Sequence, residues 1–315
     1  MTRIVIGTRQ SQLAIWQAEY VADRLRVLYP VAEVSLQFFV THGDRVLDKP
    51  LPEIGGKGVF TAELEQALLS GAIDLAVHSL KDLPTDTDSR FTLGAIPERA
   101  SPFDCLISRS GQALMNLPRG ATIGTSSLRR VAQVKAARPD LKTVSLRGNV
   151  PTRISKARSA DGPYDAAILA HAGLDRLNMA DEITEILAPE IMLPAPAQGA
   201  LAIECRADDT QIQKLLSRLD HAETRLAVEA ERAFLNALDS GCRLPVAAWA
   251  TIDAPILHLI GRVASLDGSQ VITVRDEVSP ADQERAVALG KQLAEAAYAQ
   301  GAGDLLDAIR KDVPA

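Results

Sequence analysis

Residues 3–40 read RIVIGTRQSQLAIWQAEYVADRLRVLYPVAEVSLQFFV. Residues 3–7 form a short apolar strand, and apolar side chains then recur at the 4-3-4-3 spacing of an amphipathic helix that Pro30 ends, namely Ala14, Ala18, Val21, Leu25 and Leu28. From residue 34 to residue 40 apolar positions alternate with others, as in a half-buried strand. The stretch therefore predicts a βαβ unit, the building block of a parallel α/β sheet.

The same alternation continues beyond residue 40. A helix is predicted to begin at Thr61 and to end at Gly71, and a strand follows over residues 73–77. After a turn-rich stretch at roughly 84–103, strands are predicted near residue 123, over 143–146 and over 166–170, with helices from 128 to about 138 and from about 152. Two α/β domains are therefore expected in the first part of the chain.

The last third of the chain differs in character. Residues 189–197 contain three prolines in nine positions, which predicts an extended connector and a candidate hinge. A strand over 200–204 and a helix over 222–238 follow, and then two β runs at 256–264 and 270–278 flank a turn at 266–269. With an alanine-rich helix at about 280–300, this pattern predicts a small α+β domain.

Composition narrows the class of protein. A chain of 315 residues, 47% hydrophobic and 23% charged, is globular and larger than one hydrophobic core usually covers. Its three cysteines show no CxxC spacing, which argues against a disulfide framework or a structural zinc site and favours a reducing compartment. No signal-peptide core and no long uncharged apolar run occur, so a cytoplasmic protein without a membrane segment or a metal is expected.

Charge is distributed unevenly. The chain has a net charge of −6, yet residues 121–158 hold nine basic side chains and one acid. The basic residues are Arg129, Arg130, Lys135, Arg138, Lys142, Arg147, Arg153, Lys156 and Arg158. Several stand where a loop enters a helix, a place that binds small polyanions. A solvated basic face and a nucleic-acid patch remain as alternatives, although the segment has no aromatic residue on which bases could stack.

Residues 76–84, Ala-Val-His-Ser-Leu-Lys-Asp-Leu-Pro, form a second candidate site. Alternation along the strand puts Ser79 and Lys81 on one face, and Asp82 follows before a turn. An anionic carboxylate there suits the stabilisation of a cationic intermediate better than general-acid work. An ordinary ion pair at a strand end is the alternative.

The three cysteines have different surroundings. Cys242 stands between Gly241 and Arg243 in a loop after a long helix, and a neighbouring cation favours a nucleophilic thiolate. An inert loop cysteine is the alternative. Cys105 and Cys205 stand among apolar residues and are expected in the core.

Taken together, seven segments resemble the porphobilinogen deaminase (hydroxymethylbilane synthase) family in collinear order over essentially the whole chain. They are Gly7-Thr-Arg-Gln-Ser11, Gly55-Gly-Lys-Gly58, His78-Ser-Leu-Lys-Asp-Leu-Pro84, Gly124-Thr-Ser-Ser-Leu-Arg-Arg130, Leu146-Arg-Gly-Asn149, Gln198-Gly-Ala-Leu-Ala-Ile-Glu-Cys-Arg206 and Gly241-Cys242.

The resemblance implies a fold and an activity. The fold is α/β, with two doubly wound domains of the periplasmic-binding-protein type around an active-site cleft and a small α+β third domain. The implied domains are residues 1–99 plus 200–218, residues 100–199, and residues 219–315. The implied activity is a transferase of tetrapyrrole biosynthesis that joins four porphobilinogen molecules head to tail, with loss of ammonia, into hydroxymethylbilane. The implied protein is a monomer that binds neither nucleic acid nor membrane.

The resemblance also implies roles for individual residues. Cys242 holds a covalent dipyrromethane cofactor through a thioether, and Asp82 stabilises the azafulvene and pyrrole cations of the reaction. The cofactor-binding positions are Ser79, Lys81, Thr125, Ser127, Arg129 and Arg130. The substrate-binding positions are Arg9, Ser11, Arg147, Arg153 and Arg176.

The sequence departs from the family pattern at two positions. Ser240 stands where a glycine often precedes the Gly-Cys pair, and Glu53 replaces a lysine seen in some members, which puts a cofactor contact there in doubt. The alternative from another functional class is a cytosolic binding module for a carboxylated ligand. Such a module needs the arginines and Asp82 but no accessible thiol at position 242.

Overall fold

The computed structural model describes residues 3–45, 61–86, 88–239 and 244–312. The positions of Glu53, the 55–58 glycine loop, Ser240 and Cys242 lie outside the described residues. In the described ranges the strands are β1 (Arg3–Arg9), β2 (Glu33–Phe39), β3 (Leu75–Ser79), β4 (Phe91–Ala95), β5 (Asp104–Ser108), β6 (Thr122–Gly124), β7 (Lys142–Val144), β8 (Ala166–Ala170), β9 (Glu185–Ile186), β10 (Leu201–Arg206), β11 (Val246–Asp253), β12 (Ile256–Ala264) and β13 (Val271–Val278).

The helices in the same ranges are α1 (Gln12–Leu28), α2 (His42–Arg45), α3 (Ala62–Leu69), α4 (Leu128–Ala137), α5 (Val150–Arg158), α6 (His171–Arg176), α7 (Thr210–Leu216), α8 (Ala222–Ala237), α9 (Gln283–Ala299) and α10 (Ala302–Asp312). The chain divides into two compact units, Met1–Arg99 with Ala200–Arg225 and Ala100–Gly199 with Leu226–Ala315. The expected boundaries of three domains stay a prediction.

The first unit is built on a five-stranded sheet in the order β2-β1-β3-β10-β4. β1 runs parallel to β2 and β3, whereas β10 runs antiparallel to β3 and β4. The predicted βαβ unit is confirmed, and Ala18, Val21 and Leu25 of α1 pack on Ile4 and Ile6 of β1. Because β1, β2 and β3 are parallel, their carboxyl ends lie at one edge, where ligands bind in such sheets.

The second unit contains a sheet of the same design in the order β7-β6-β8-β5-β9. β6 is parallel to β7 and β8, and β5 is antiparallel to β8 and β9. The loops after β6, β7 and β8 therefore leave the sheet at one edge. Residues 187–200, which include the expected connector, contain turns but neither helix nor strand.

A third sheet, β11-β12-β13, belongs to the second unit and is antiparallel throughout. Helices α8, α9 and α10 cover it, and the fully buried Phe234 of α8 lies at the centre of this core. Gly261 of β12 faces the Phe234 ring so closely that a Cβ atom at this position would collide with it. The expected α/β class with two doubly wound sheets and a smaller α+β part is confirmed.

The third sheet contacts helix α4 of the same unit at two places. Arg262 of β12 donates through Nη1 to Gln133 Oε1 of α4 at 2.9 Å. Gly268, in the turn between β12 and β13, has φ +74° and lies against the backbone of Lys135 and Ala136. A side chain there meets both a left-handed conformation and the backbone of α4, so glycine is required.

Candidate active site

Strand β1 ends at the first pair of predicted substrate residues. Arg9 is the last residue of the strand and is half-buried. Ser11 follows as the N-cap of α1, and its hydroxyl accepts a hydrogen bond from the Ala14 amide at 3.3 Å. Ser11 therefore has a structural task at the helix start, which explains the residue type there without a ligand.

Strand β3 ends at Ser79, and a single 3-10 turn over Leu80–Asp82 follows it. The Ser79 hydroxyl accepts from Gln17 Nε2 of α1 at 2.9 Å, and Gln17 is buried. Leu80 is fully buried and its amide donates to the Ala200 carbonyl at 3.0 Å. This anchor fixes the turn from which Lys81 and the exposed Asp82 project.

In the second unit, the loop after β6 leads into α4. The Thr125 amide donates to the Val144 carbonyl at 2.9 Å, and its hydroxyl accepts from the Ser127 amide at 3.2 Å. Ser127 is the N-cap residue of α4, and its side chain makes no capping hydrogen bond there. The hydroxyls are therefore placed at the helix N-terminus, where backbone N–H groups favour an anion.

Arg129 and Arg130 occupy the first turn of α4 and are both buried. They share one partner, the fully buried Asp104 of β5, which sequence reasoning missed. Arg129 Nη1 donates to Asp104 Oδ2 at 2.6 Å and to the Leu193 carbonyl at 2.8 Å. Arg130 donates to Asp104 Oδ1 from Nη2 at 2.7 Å and from Nε at 3.1 Å, and to the Ile168 carbonyl from Nη1 at 2.9 Å.

The electrostatics of this cluster follow from its composition. Burial by itself raises the pKa of Asp104, but Arg129 and Arg130 outweigh it and hold the pKa of that carboxyl well below its usual range. Burial lowers the pKa of Arg129, yet a guanidinium group stays charged at neutral pH. Two guanidinium groups and one carboxylate leave a net charge of about +1 in a buried place. Such a place favours an anionic ligand.

The loop after β7 contains Arg147 and leads into α5. Gly148 has φ +124°, and Asn149 caps the helix by accepting from the Thr152 amide at 3.0 Å. Arg153 folds back and donates from Nε to the Gly148 carbonyl at 2.7 Å. Among the described residues, the buried Nη1 atom of Arg147 finds no hydrogen-bond partner. An unsatisfied buried guanidinium nitrogen costs free energy, which a ligand carboxylate would recover.

Arg176, the last residue of α6, is buried and donates from Nη2 to the Gly199 carbonyl at 2.7 Å. Gly199 has φ +90°, and a Cβ atom there would lie 2.5 Å from the Ala100 carbonyl oxygen. Arg176 therefore has a backbone partner where the chain turns towards β10.

Within each unit, the predicted residues lie at one edge of the sheet. In the first unit Arg9, Ser11, Ser79, Lys81 and Asp82 lie at the carboxyl ends of the parallel neighbours β1 and β3. In the second unit, the residues after β6, β7 and β8 lie at the corresponding edge, namely Thr125, Ser127, Arg129, Arg130, Arg147, Arg153 and Arg176.

Two of the three cysteines lie in the described residues, and both are buried. Burial raises the pKa of the Cys105 thiol to about 12 and that of Cys205 to about 11. Both are therefore poor nucleophiles at neutral pH. In the described part of the chain, no group of His, Cys, Asp and Glu side chains has the arrangement of a metal site, and no helix there is long and apolar enough to span a membrane.

Comparison with known proteins covers nearly the whole chain. Residues 4–214 match the family model "Porphobilinogen deaminase, dipyromethane cofactor binding domain", and residues 225–299 match "Porphobilinogen deaminase, C-terminal domain". A porphobilinogen deaminase of Xanthomonas axonopodis pv. citri is 50% identical, over 97% of this chain and 99% of its own length. Those of Brevibacillus brevis (48%, over 98% and 97%) and Carboxydothermus hydrogenoformans (47%, over 98% of both) are similar over the same extent.

Proposed function

This chain belongs to the porphobilinogen deaminase family, and from that premise we propose which of its residues carry the reaction. Its activity is that of a hydroxymethylbilane synthase with a dipyrromethane cofactor, a transferase of tetrapyrrole biosynthesis. The comparisons favour this enzyme over a binding module for a carboxylated ligand. We propose that four porphobilinogen molecules are joined head to tail, each with loss of ammonia.

The observation that carries the residue assignment is the distribution of guanidinium groups in the second unit. Each pyrrole ring of the cofactor and the product bears an acetate and a propionate, so about two negative charges per ring must be neutralised. The buried cluster of Arg129, Arg130 and Asp104 has a positive excess, and Arg147 keeps a buried nitrogen without a partner in the described residues. These groups fit the carboxylates of the cofactor and the growing chain.

The residue roles that we propose follow the family's motifs at the matching positions of this chain. We assign Ser79, Lys81, Thr125, Ser127, Arg129 and Arg130 to the cofactor, and Arg9, Ser11, Arg147, Arg153 and Arg176 to the substrate. When bound, the cofactor supplies the nucleophilic pyrrole carbon to which substrate is joined. Cys242, outside the described residues, is the proposed point of its thioether attachment.

Asp82 is the proposed catalytic residue. It projects from a turn whose neighbour Leu80 is fully buried, so its carboxylate has a fixed origin and an exposed end. A preorganised anion of this kind stabilises positive charge that develops on a pyrrole ring when ammonia leaves. The same carboxylate oxygens can take up and release the proton that each condensation sets free.

The test is Asp82→Asn, with Asp88→Asn as the matched control. Asp88 is an exposed carboxylate in the same unit that pairs with Arg90 at 2.6 Å. We expect Asp82→Asn to retain its fold and the covalent cofactor mass while kcat falls by about a hundredfold to a thousandfold or more. The control should keep wild-type turnover. Near-normal turnover of Asp82→Asn would refute the role assigned to this carboxylate.

We further propose that the protein acts as a cytoplasmic monomer without nucleic acid. Three cysteines without CxxC spacing favour a reducing compartment, and a net charge of −6 disfavours phosphodiester binding. Light scattering tests the monomer, and a gel-shift assay at low salt with oligonucleotides tests the absence of nucleic-acid binding.

A further inference from the structure

The two adjacent arginines of α4 use their nitrogen atoms differently. Both hydrogen bonds that Arg129 makes within the described residues start from Nη1. Arg130 instead commits Nε and Nη2 to Asp104 and Nη1 to the Ile168 carbonyl. The two side chains therefore differ in what they can offer a ligand.

The difference concerns the edge of the guanidinium group that binds carboxylates best. Nε–H and one N–H of Nη2 point the same way and form a fork that matches the two oxygens of a carboxylate. On Arg130 this edge faces Asp104 Oδ1, at 3.1 Å from Nε and 2.7 Å from Nη2. On Arg129 the same edge makes no hydrogen bond to any described residue.

Asp104 is itself held in place. It is fully buried on β5, and its Oδ1 accepts a further hydrogen bond from Gln198 Nε2 at 2.9 Å. Gln198 is also fully buried and donates to the Pro102 carbonyl at 2.7 Å. The carboxylate cannot rotate away without breaking several buried hydrogen bonds, so it fixes the orientation of both guanidinium groups.

We propose that Asp104 is a positioning residue that occupies the Nε–Nη2 edge of Arg130 and turns the equivalent edge of Arg129 towards a carboxylate of the dipyrromethane. Arg129 is then the bidentate anion ligand of the pair. Arg130 supplies charge and holds the helix start to β5 and β8. This inference rests on the proposed function and divides a task that the sequence assigns equally to two neighbouring arginines.

Lysine substitutions separate the two roles because lysine keeps the charge but lacks the fork. The full-length chain is produced without cofactor, incubated with porphobilinogen, and followed by intact mass for the covalent gain of two pyrrole units. For Arg129→Lys we expect the rate of mass gain to fall about tenfold or more, with little change in the melting temperature of the apoprotein, since one ammonium can still reach Asp104 Oδ2 and the Leu193 carbonyl. For Arg130→Lys we expect a lower melting temperature of the apoprotein and a smaller fall in the loading rate per folded molecule than for Arg129→Lys, because lysine keeps the charge that Arg130 supplies.

Asp104→Asn should show both defects, because it releases both arginines. Asp140→Asn is the matched control, since Asp140 pairs with Arg138 just beyond the other end of α4, at 2.7 Å from Nη2 and 2.8 Å from Nε. It should show neither defect. If Asp104→Asn does not fold, the difference in loading rate between the two lysine variants still tests the proposed division of roles.

The outcomes separate two kinds of failure. If the wild-type apoprotein gains no mass from porphobilinogen, the proposed function fails. If it gains mass but Arg129→Lys and Arg130→Lys load at the same rate per folded molecule, or Arg130→Lys loads more slowly, only the division of roles is overturned. Wild-type loading by folded Asp104→Asn would likewise reduce Asp104 to a structural ion pair.

Discussion

Glu231 of α8 joins two distant parts of the second unit, and its replacement by glutamine should be costly. The side chain is fully buried. Its Oε2 accepts from the Ala197 amide at 2.6 Å, and its Oε1 accepts from the Ala250 amide of β11 at 2.8 Å. Ala197 has φ +61°, so the connector is held in an unfavourable conformation at the point where the carboxylate contacts it.

The magnitude follows from these two hydrogen bonds. Glutamine keeps one acceptor oxygen, so its amide group must face one of the two N–H donors and leave it unsatisfied. An unpaired buried donor costs about 1–3 kcal/mol, and the remaining hydrogen bond weakens by about 1 kcal/mol because its acceptor is no longer charged. We therefore expect Glu231→Gln to lower the free energy of unfolding by about 2–4 kcal/mol, which at this size of unit lowers the melting temperature by roughly 5–15 °C.

Calorimetry gives the melting temperature, and hydrogen exchange read by NMR locates the change. The amide protons of Ala197 and Ala250 should exchange faster in Glu231→Gln. The control is Glu223→Gln, the same substitution at an exposed position on the same helix, which should stay within about 0.5 kcal/mol of the wild type. The predicted cost comes from those two hydrogen bonds. A decrease in melting temperature of less than about 2 °C, with unchanged exchange of both amide protons, would therefore refute the reasoning.

Three further predictions concern other parts of the molecule. Arg129 and Arg130 hold the pKa of Asp104 low, so the ionised carboxylate stabilises the fold above its unfolded pKa and loses that effect as pH falls below about 4. Urea unfolding at a series of pH values should show the free energy of unfolding decreasing below about pH 4, and this decrease should be smaller in Asp104→Asn. Iodoacetamide at about pH 8 should leave Cys105 and Cys205 unmodified in the native protein, as peptide mapping would show, since burial raises both thiol pKa values well above that pH. Gly268→Ala should lower the melting temperature by several degrees more than Gly111→Ala, because an added Cβ at Gly268 meets the backbone of α4. Gly111 is the control, since it has nearly the same φ (+73°) but nothing within 4 Å of the added Cβ. Equal decreases in melting temperature would show that contact with α4 is unimportant.

The fold was predictable where hydrophobic periodicity is strong. The apolar stripe of α1 and the apolar runs of β8 and β12 predict elements that the structure contains, with β8 and β12 at the expected bounds. Eight elements were missed, namely β4, β5, β9, β11, α2, α6, α7 and α10. β4 and the start of β5 fall in or beside the stretch that prolines and polar residues mark as turn-rich, and these strands acquire their hydrogen bonds from β10 and β8, which are distant in the sequence.

The residue types of the candidate site were predictable from the sequence, but the hydrogen bonds and ion pairs among them were not. Glycine, hydroxyl and arginine side chains at strand ends indicate an anion site in any doubly wound sheet. The sequence around Asp104 shows its burial only weakly, because that burial depends on sheet order. The one available signal was its position at the start of the apolar run 104–108, where an unpaired carboxylate would be expensive.

The basic segment separates into two groups once the helices are known. Lys135, Arg138 and Arg158 lie at the carboxyl ends of α4 and α5 and donate to backbone carbonyls, where the helix dipole favours a cation. Arg129 and Arg130 lie at the other end of α4, where the same dipole disfavours a cation. A cation in that place needs an anion nearby, and Asp104 supplies one negative charge for two positive ones. The remaining charge is the physical reason to expect a carboxylate ligand at this end of the helix and not at the other.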